Sequence, residues 1–203
     1  SELNKTMQAQ IKKKDTYKMG IDTLFNLRRQ LMQTLVSFKE DLCREDFNAI
    51  PFINADGYHS KTIAYSIWHI FRIEDIVAHT VITEDEQVFF TGNYQVRINS
   101  PIITTGNELV KQQIADFSKQ LNLEELYSYI FEVRESTEKI LERFSYDELK
   151  WKIPDERKGY LKSLNVVNCD EKAIWLIDYW CSKDIRGLIQ MPFSRHWIMH
   201  TEA

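Results

Sequence analysis

The sequence is poor in glycine and proline, with only 6 and 4 of them among 203 residues. Tight turns between short strands draw heavily on these two residue types, so their scarcity argues against a β-rich fold. No stretch approaches the ~18 continuous apolar residues of a membrane-spanning helix, and no N-terminal run resembles a signal peptide. We therefore expect a soluble, cytoplasmic protein with no membrane partner.

Cysteine is also scarce, and the chain carries no excess of positive charge. The three cysteines, Cys43, Cys169 and Cys181, are too few and too widely spaced for a disulfide framework or a CxxC zinc site. We expect them to be reduced and mostly buried. The formal net charge is −4, and the one basic run, residues 12–14, is interpreted as a solvated segment. This charge balance argues against a nucleic-acid partner.

Helical periodicity is what the chain does contain. Apolar residues recur at steps of three and four, which predicts amphipathic helices over 15–42, 60–82, 123–144 and 170–190. Ser60 is a candidate N-cap of the second helix. Pro192 should end the fourth helix at Met191, because the residue before a proline disfavours helix. Ser194 then becomes a candidate cap for a short closing helix.

A less regular segment, residues 84–121, separates the second and third predicted helices. It carries several turn signals, with a shorter helix expected around 107–120. The length suits one domain, residues 1–203, in which we expect residues 1–14 to be loosely ordered. Four long helices with a long crossover and a short C-terminal helical segment predict an all-α fold, a four-helix bundle.

The closing segment places two of the five histidines one helical turn apart. At about 100° per residue, His196 and His200 are about 40° apart, so both rings can reach one point. With a third imidazole from a facing helix, they would be a sufficient donor set for a divalent metal with an open fourth position. The pair lacks the internal glutamate of an HExxH motif. HxxxH also occurs by chance, so spacing alone favours two aromatic side chains on an ordinary helix end.

The second predicted helix offers a third histidine. His69 lies at the edge of the buried arc, where a histidine is more often a hydrogen-bonded structural residue than a metal ligand. The side opposite the apolar face carries Lys61, Arg72, Asp75 and His79. We therefore expect His79 to be solvated and to pair with Asp75, four residues earlier.

Two acidic residues fall within apolar arcs. Glu74 lies in the stripe of the second helix, and Asp178 lies in that of the fourth helix near Cys181. A buried carboxylate needs a partner. Each acid is therefore a candidate catalytic or orienting group at the metal, although a structural ion pair or interhelical hydrogen bond, for instance with Arg28 or Arg134, is the favoured interpretation. Cys181 is interpreted as an inert buried thiol, and four tryptophans are interpreted as packing residues: Trp68, Trp175, Trp180 and Trp197.

Three segments together resemble a known superfamily. They are SIWHIFRIEDIVAHT at 66–80, INSPIITTGNEL at 98–109 and MPFSRHWIMH at 191–200. In order and spacing they resemble the DinB/YfiT-like (damage-inducible) superfamily of metalloproteins, over roughly residues 15–200. The resemblance implies a four-helix bundle with up-down-down-up connectivity. It also implies a three-histidine metal site formed by His69, His196 and His200.

The same resemblance implies a chemistry. The metal in this superfamily is most often zinc or nickel, and homodimers are common. Its members include thiol-dependent transferases, a thiol-dependent isomerase and metal-dependent hydrolases. For this chain it implies an enzyme that activates water or a low-molecular-weight thiol for hydrolysis or S-transfer on a small electrophile. The alternative is a non-catalytic binding or stress-response bundle whose histidine site is structural or vestigial.

Overall fold

The chain folds into helices, as described for residues 1–203 by a computed structural model. No β-strand forms, and the only bridge joins Lys152 to Asp184. None of the helices combines the length and apolarity that crossing a membrane requires. Because the chain forms helices and no strand, the predicted all-α class is confirmed. In chain order the helices are α1 Glu2–Gln10, α2 Tyr17–Asp41, α3 Arg44–Asn48, α4 Ile63–Asp75, α5 Val88–Thr91, α6 Tyr94–Ile98, α7 Gln112–Gln120, α8 Leu123–Leu141, α9 Glu156–Ser163, α10 Glu171–Cys181, α11 Ile185–Gln190 and α12 His196–Glu202.

The N-terminal segment contains a helix, α1, over Glu2–Gln10. Helix α1 packs against α2 and buries Met7, while Ile11 is buried just beyond its end. A Cβ atom on Gly20 would lie 2.4 Å from Cγ2 of Ile11. The absence of a side chain at Gly20 therefore allows the end of α1 to approach α2 closely.

The second predicted helix begins later and ends differently than expected. Thr62, rather than Ser60, is its N-cap, and the hydroxyl oxygen accepts the N–H of Tyr65 at 3.0 Å. From Ile76 to Thr83 the helix widens into a π-helix. Carbonyls at a helix end need partners from elsewhere in the fold. The guanidinium of Arg157 supplies one, donating to the carbonyl of Thr80 at 3.1 Å.

The fourth predicted helix is interrupted. α10 ends at Cys181, and α11 starts after Asp184, whose carboxylate accepts the N–H of Gly187 at 2.8 Å. The chain does not stop at Met191 but continues as a π-helix, Met191–Arg195, into α12. A wider turn accommodates Pro192, which has no N–H to donate and would crowd an α-helix. Ser194 is not a cap, because its hydroxyl donates to the carbonyl of Ile189 at 2.8 Å.

Buried charged side chains lie near the boundary of two hydrophobic cores of 25 buried residues each. On α2 the division falls between Leu24 and Leu27, and on α4 it falls between Phe71 and Ile73. Helix α12 contacts both α2 and α4. The histidines of α4 and α12 therefore lie near the level at which buried charge interrupts the core. Four charged side chains there are completely buried: Arg28, Arg72, Glu74 and Asp75.

Candidate metal centre

Three buried histidine rings meet in the structure. The ring centroid of His69 lies 5.0 Å from that of His196 and 4.8 Å from that of His200. The rings of His196 and His200 are 4.6 Å apart. One candidate ligand nitrogen from each ring lies within 4.8 Å of the other two. The turn spacing on α12 and the contact between α12 and α4 thus bring together the three histidines that the sequence resemblance implies.

The crossover segment fixes the tautomer of His69. Its Nδ1 lies 2.8 Å from the backbone carbonyl of Thr105. A carbonyl can only accept, so Nδ1 carries the hydrogen and Nε2 keeps a lone pair free for a metal. Tyr65 stacks on the His69 ring, at 5.5 Å and 10°, and its hydroxyl donates to the Gly106 carbonyl at 2.9 Å. Two side chains one turn apart on α4 therefore hold the crossover against the site.

The three imidazoles are neutral at pH 7. Burial lowers the pKa of His69 to about 4, and the positive charge of Lys61 adds to this effect. Burial, followed by the neighbouring imidazoles, lowers the pKa values of His196 and His200 well below the ordinary value of 6.5. Neutral imidazole is the form that binds metal, so the protein environment favours ligation at neutral pH.

Two of these rings have a buried nitrogen with no partner. Nδ1 of His196 and Nδ1 of His200 make no hydrogen bond. A buried polar atom without a partner costs about 1–3 kcal/mol, so such atoms usually indicate a ligand or a solvent molecule. A tetrahedral ion with bonds of about 2.0–2.1 Å brings its nitrogens to roughly 3.3 Å from one another. The candidate nitrogens lie within 4.8 Å of one another, so the three residues could hold a divalent metal if their rings move closer together.

A cavity of about 350 Å³ opens onto all three histidines. This volume is within the usual range for small-molecule sites. Tyr58 lines it and packs edge-on against His200, with ring centroids 4.7 Å apart. Trp175 also lines it but is 49% exposed, so it belongs to the rim, whereas the other three tryptophans expected in the core are buried. A small molecule can therefore reach the histidines from solvent.

Lys61 belongs to the site, although helical angles placed it on the opposite side. It precedes the N-cap Thr62, so the angular rule does not apply to it. The side chain is half-buried and lines the cavity, with its ammonium 5.5 Å from the ring centroid of Tyr65. It makes no ion pair, and burial lowers its pKa. Tyr65 and His69, by contrast, lie four residues apart on one face of α4, so helical periodicity could have identified Tyr65 as a neighbour of the site.

Glu74 is buried as predicted, but both of its oxygens are engaged in a structural network. Arg28 binds them in bidentate fashion, at 2.6 and 3.0 Å, and the indole N–H of Trp197 donates to one of them at 2.6 Å. Arg28 also donates to the carbonyl of Phe193 at 3.0 Å. These contacts match the structural alternative for Glu74. The network joins α2 and α4 to the segment that carries His196 and His200.

Asp178 is not buried, so its predicted position within an apolar arc is wrong. Its side chain is 79% exposed and pairs with the ammonium of Lys158 at 2.8 Å, and it does not line the histidine cavity. Ile174, one turn before Asp178, is only partly buried, so the buried face of α10 does not extend to this side of the helix. The buried face of α10 points away from Asp178 and is formed by Ala173, Leu176, Ile177, Trp180 and Cys181.

The polar side of the second helix is buried, contrary to the prediction that it faces solvent. Arg72 donates to the carbonyl of Ile103 at 2.6 Å, and Asp75 accepts the backbone N–H groups of Val88 and Phe89, each at 2.9 Å. The crossover packs on this side and pairs its charges. Periodicity detects one apolar face, but it does not detect a polar face that a distant segment covers.

His79 lies on that covered side and is buried. Its Nδ1 is 2.7 Å from Asp85 rather than bound to Asp75, and its Nε2 is 2.8 Å from the hydroxyl of Ser136. Asp85, His79 and Ser136 are hydrogen-bonded to one another in the same way as the acid, histidine and serine of a hydrolytic triad. However, Ser136 lies inside α8, where the backbone N–H groups are committed to helical bonds and cannot form an oxyanion hole. The contacts therefore tie the π-helix to α8.

The cysteines divide differently than expected. Cys43 and Cys169 are exposed, so the prediction of mostly buried thiols is wrong for these two. Cys181 is buried, and burial raises the pKa of its thiol. A thiol with a raised pKa forms little of the reactive thiolate, which agrees with its interpretation as inert.

Fold and site together define the class of this protein: an all-helical chain with a buried three-histidine cluster that could hold a metal ion. No protein-family model matches the sequence, and no curated protein matches it. The site and the sequence motifs are therefore the basis for inferring what the protein does.

Proposed function

We propose that His69, His196 and His200 bind a divalent metal ion, zinc or nickel, in an enzyme of the DinB/YfiT-like kind. One observation carries the proposal. Three neutral imidazoles converge at a cavity, and two of them hold a buried nitrogen without a partner. The third is held in one tautomer by the Thr105 carbonyl, as metal-binding histidines commonly are.

A metal at this site would supply Lewis-acid chemistry, which favours ionisation of water or of a thiol at neutral pH. The chain supplies the rest. Thr105 orients one ligand, while the Arg28–Glu74 pair holds the segment that bears the other two. Lys61 adds a positive charge at the cavity. The proposed reaction is hydrolysis or S-transfer on a small electrophile, with a low-molecular-weight thiol as a candidate co-substrate.

The wider proposals concern architecture and assembly. Four long helical stretches support an up-down-down-up four-helix bundle: α2, α4 with its π-helix, α8, and α10 through α12. A homodimer and a cytoplasmic location belong to the same proposal, on the strength of the sequence resemblance. The net charge of −4 supports a site for small molecules rather than for nucleic acid.

A non-catalytic bundle is the second candidate, and one observation favours it. Neither predicted carboxylate reaches the cavity, because Glu74 is engaged by Arg28 and Asp178 faces solvent. General acid–base chemistry at the metal would then depend on other groups. In this alternative the histidine cluster is a structural metal site of a binding or stress-response protein.

Metal analysis tests the proposal directly. The wild type, His69→Ala, His200→Ala and the exposed control His59→Ala would each be incubated with zinc or nickel, dialysed and assayed for bound metal. We expect near-stoichiometric metal in the wild type and the control, and loss of metal in the two cluster variants. Circular dichroism would verify folding. Folded wild type that retains neither ion would refute the proposal.

A functional screen then separates the two candidates. Metal-loaded wild type would be incubated with a small electrophile and a panel of thiols, and separately with hydrolysable esters and amides. Turnover that disappears in His69→Ala and survives in Lys139→Gln, a change at an exposed lysine on α8, supports the enzyme. Stoichiometric metal without turnover on any member of the panel favours the structural candidate.

A further inference from the structure

A second, larger cavity adjoins the histidine cavity. It measures about 520 Å³ and runs between α2, the start of α4 and the segment that precedes α4. It shares Tyr58, Lys61 and His200 with the histidine cavity, so the two spaces lie on either side of the same three residues. Its walls are mostly apolar and include Leu35, Phe38, Leu42, Phe52, Ile63 and Ile67.

The charge at the junction of the two cavities is unpaired. Lys61 is half-buried and makes no hydrogen bond or ion pair, and the ring of Tyr65 lies 5.5 Å from its ammonium. A partly desolvated charge without a partner is unfavourable, so an anion placed there would be stabilised. The acid that lines the groove, Asp46, already accepts the backbone N–H of Cys43 at 2.9 Å.

The groove also exposes an apolar surface. Phe52 is 62% exposed although it is part of the groove wall. Large apolar side chains that line a concave surface of this volume are typical of small-molecule sites. An apolar chain lying in the groove would cover Phe52 and would end beside Lys61 and His200.

We propose that the groove and Lys61 together bind an amphipathic carboxylate, with the apolar chain in the groove and the carboxylate on the ammonium. This inference rests on the proposed function in one respect: the amphipathic carboxylates would be the substrates of the proposed enzyme. The reacting part of the molecule would then lie at the histidine cluster, because His200 borders both spaces. The binding itself needs no metal.

Calorimetric titration of metal-free protein with decanoate, kept below its micellar concentration, tests the inference. Decylammonium, with the same chain and the opposite charge, is the matched probe. We expect decanoate to bind and decylammonium to bind far more weakly. Each added methylene from octanoate to decanoate should tighten binding roughly fourfold, as burial of one methylene predicts.

Variants of the protein distinguish the contribution of the Lys61 charge from that of the shape of the groove. Lys61→Gln should weaken decanoate binding by about ten- to a hundredfold, the usual effect of a lost hydrogen bond to a charged group. Lys61→Arg should largely retain it, and Lys139→Gln, at an exposed lysine on α8, should not change it. Ile63→Trp should narrow the groove and weaken long chains more than acetate. Equal affinity of the wild type and Lys61→Gln, equal affinity for the two probes, or no binding of decanoate would each overturn the inference.

Failure of this inference and failure of the proposed function give different results. The zinc content of Lys61→Gln, measured alongside, should equal that of the wild type because Lys61 is not a ligand. Zinc binding without decanoate binding refutes the amphipathic substrate alone. If protein that cannot be loaded with zinc or nickel still binds decanoate, the proposed binding groove stands and the proposed metalloenzyme is refuted.

Discussion

Replacing Glu74 by glutamine should destabilise the protein strongly. The substitution removes the charge that faces Arg28, and both side chains are completely buried. Loss of one partner of a buried pair costs about 3–5 kcal/mol. Glu138, which lies 3.2 Å from Nε of Arg28, remains and keeps the expected loss near the lower limit. At about 2–4 °C per kcal/mol for a protein of this size, the melting temperature should fall by roughly 6–12 °C.

Asp178→Asn is the matched control, because both acids were sequence-predicted site residues and both form an ion pair. The Asp178 side chain is 79% exposed, so its pair with Lys158 is screened by solvent. We expect no measurable change in melting temperature. Differential scanning calorimetry of metal-free wild type, Glu74→Gln and Asp178→Asn provides the comparison. Equal and small shifts in the two variants would refute the buried network.

The same variant also tests whether Glu74 acts at the metal. Trp197, which donates to Glu74, lies between His196 and His200 in sequence. Glu74→Gln should therefore weaken zinc affinity by about 10–100-fold, the usual effect of losing support behind a ligand, while one ion still binds. A catalytic base would behave differently. In that case the variant would keep its stability and its zinc affinity and would lose only turnover.

Three further predictions follow from the geometry. Gly106→Ala should lower stability and zinc affinity, since Gly106 has φ +80° and an added Cβ would lie 2.9 Å from the ring of Tyr65; calorimetry with zinc titration measures both, and unchanged values would contradict the contact. A maleimide should label two thiols per folded chain, and the third, Cys181, should react only in denaturant; labelling of all three in the folded state would show that it is accessible. Zinc at about 100 times its dissociation constant should stabilise the wild type by about 2.7 kcal/mol and leave the melting temperature of His69→Ala unchanged.

The sequence was a good guide wherever a single face of a helix decides burial. Helices α2 and α8 lie within the predicted segments because their apolar residues repeat at helical spacing toward one core. The spacing of His196 and His200 likewise showed that both rings could reach one point, and the structure brings them together. These features depend on contacts within one turn or on one interface, which local periodicity encodes.

The prediction failed where a distant segment decides the environment. Arg72 and Asp75 look solvent-facing from helical angles, yet the crossover covers and pairs them. The break before α11 depends on the N-cap at Asp184. The apolar residues on either side of Asp184 keep the spacing of a continuous helix, so periodicity did not reveal the break. The Thr105 carbonyl that orients His69 comes from 36 residues further along the chain and carries no side-chain signal at all.

The buried charges lie next to the histidine cluster, because one segment of the chain contacts both. The segment from Phe193 to His200 is held by Arg28 and Glu74 on one side and packs its two histidines against His69 on the other. Because one short segment makes both sets of contacts, anything that loosens it must affect the two histidines and the ion pair together. Metal binding at the cluster would therefore be coupled to the local stability of α12. A substitution at Arg28, which touches no histidine nitrogen, should lower zinc affinity, whereas zinc should protect the backbone amides of α12 from hydrogen exchange.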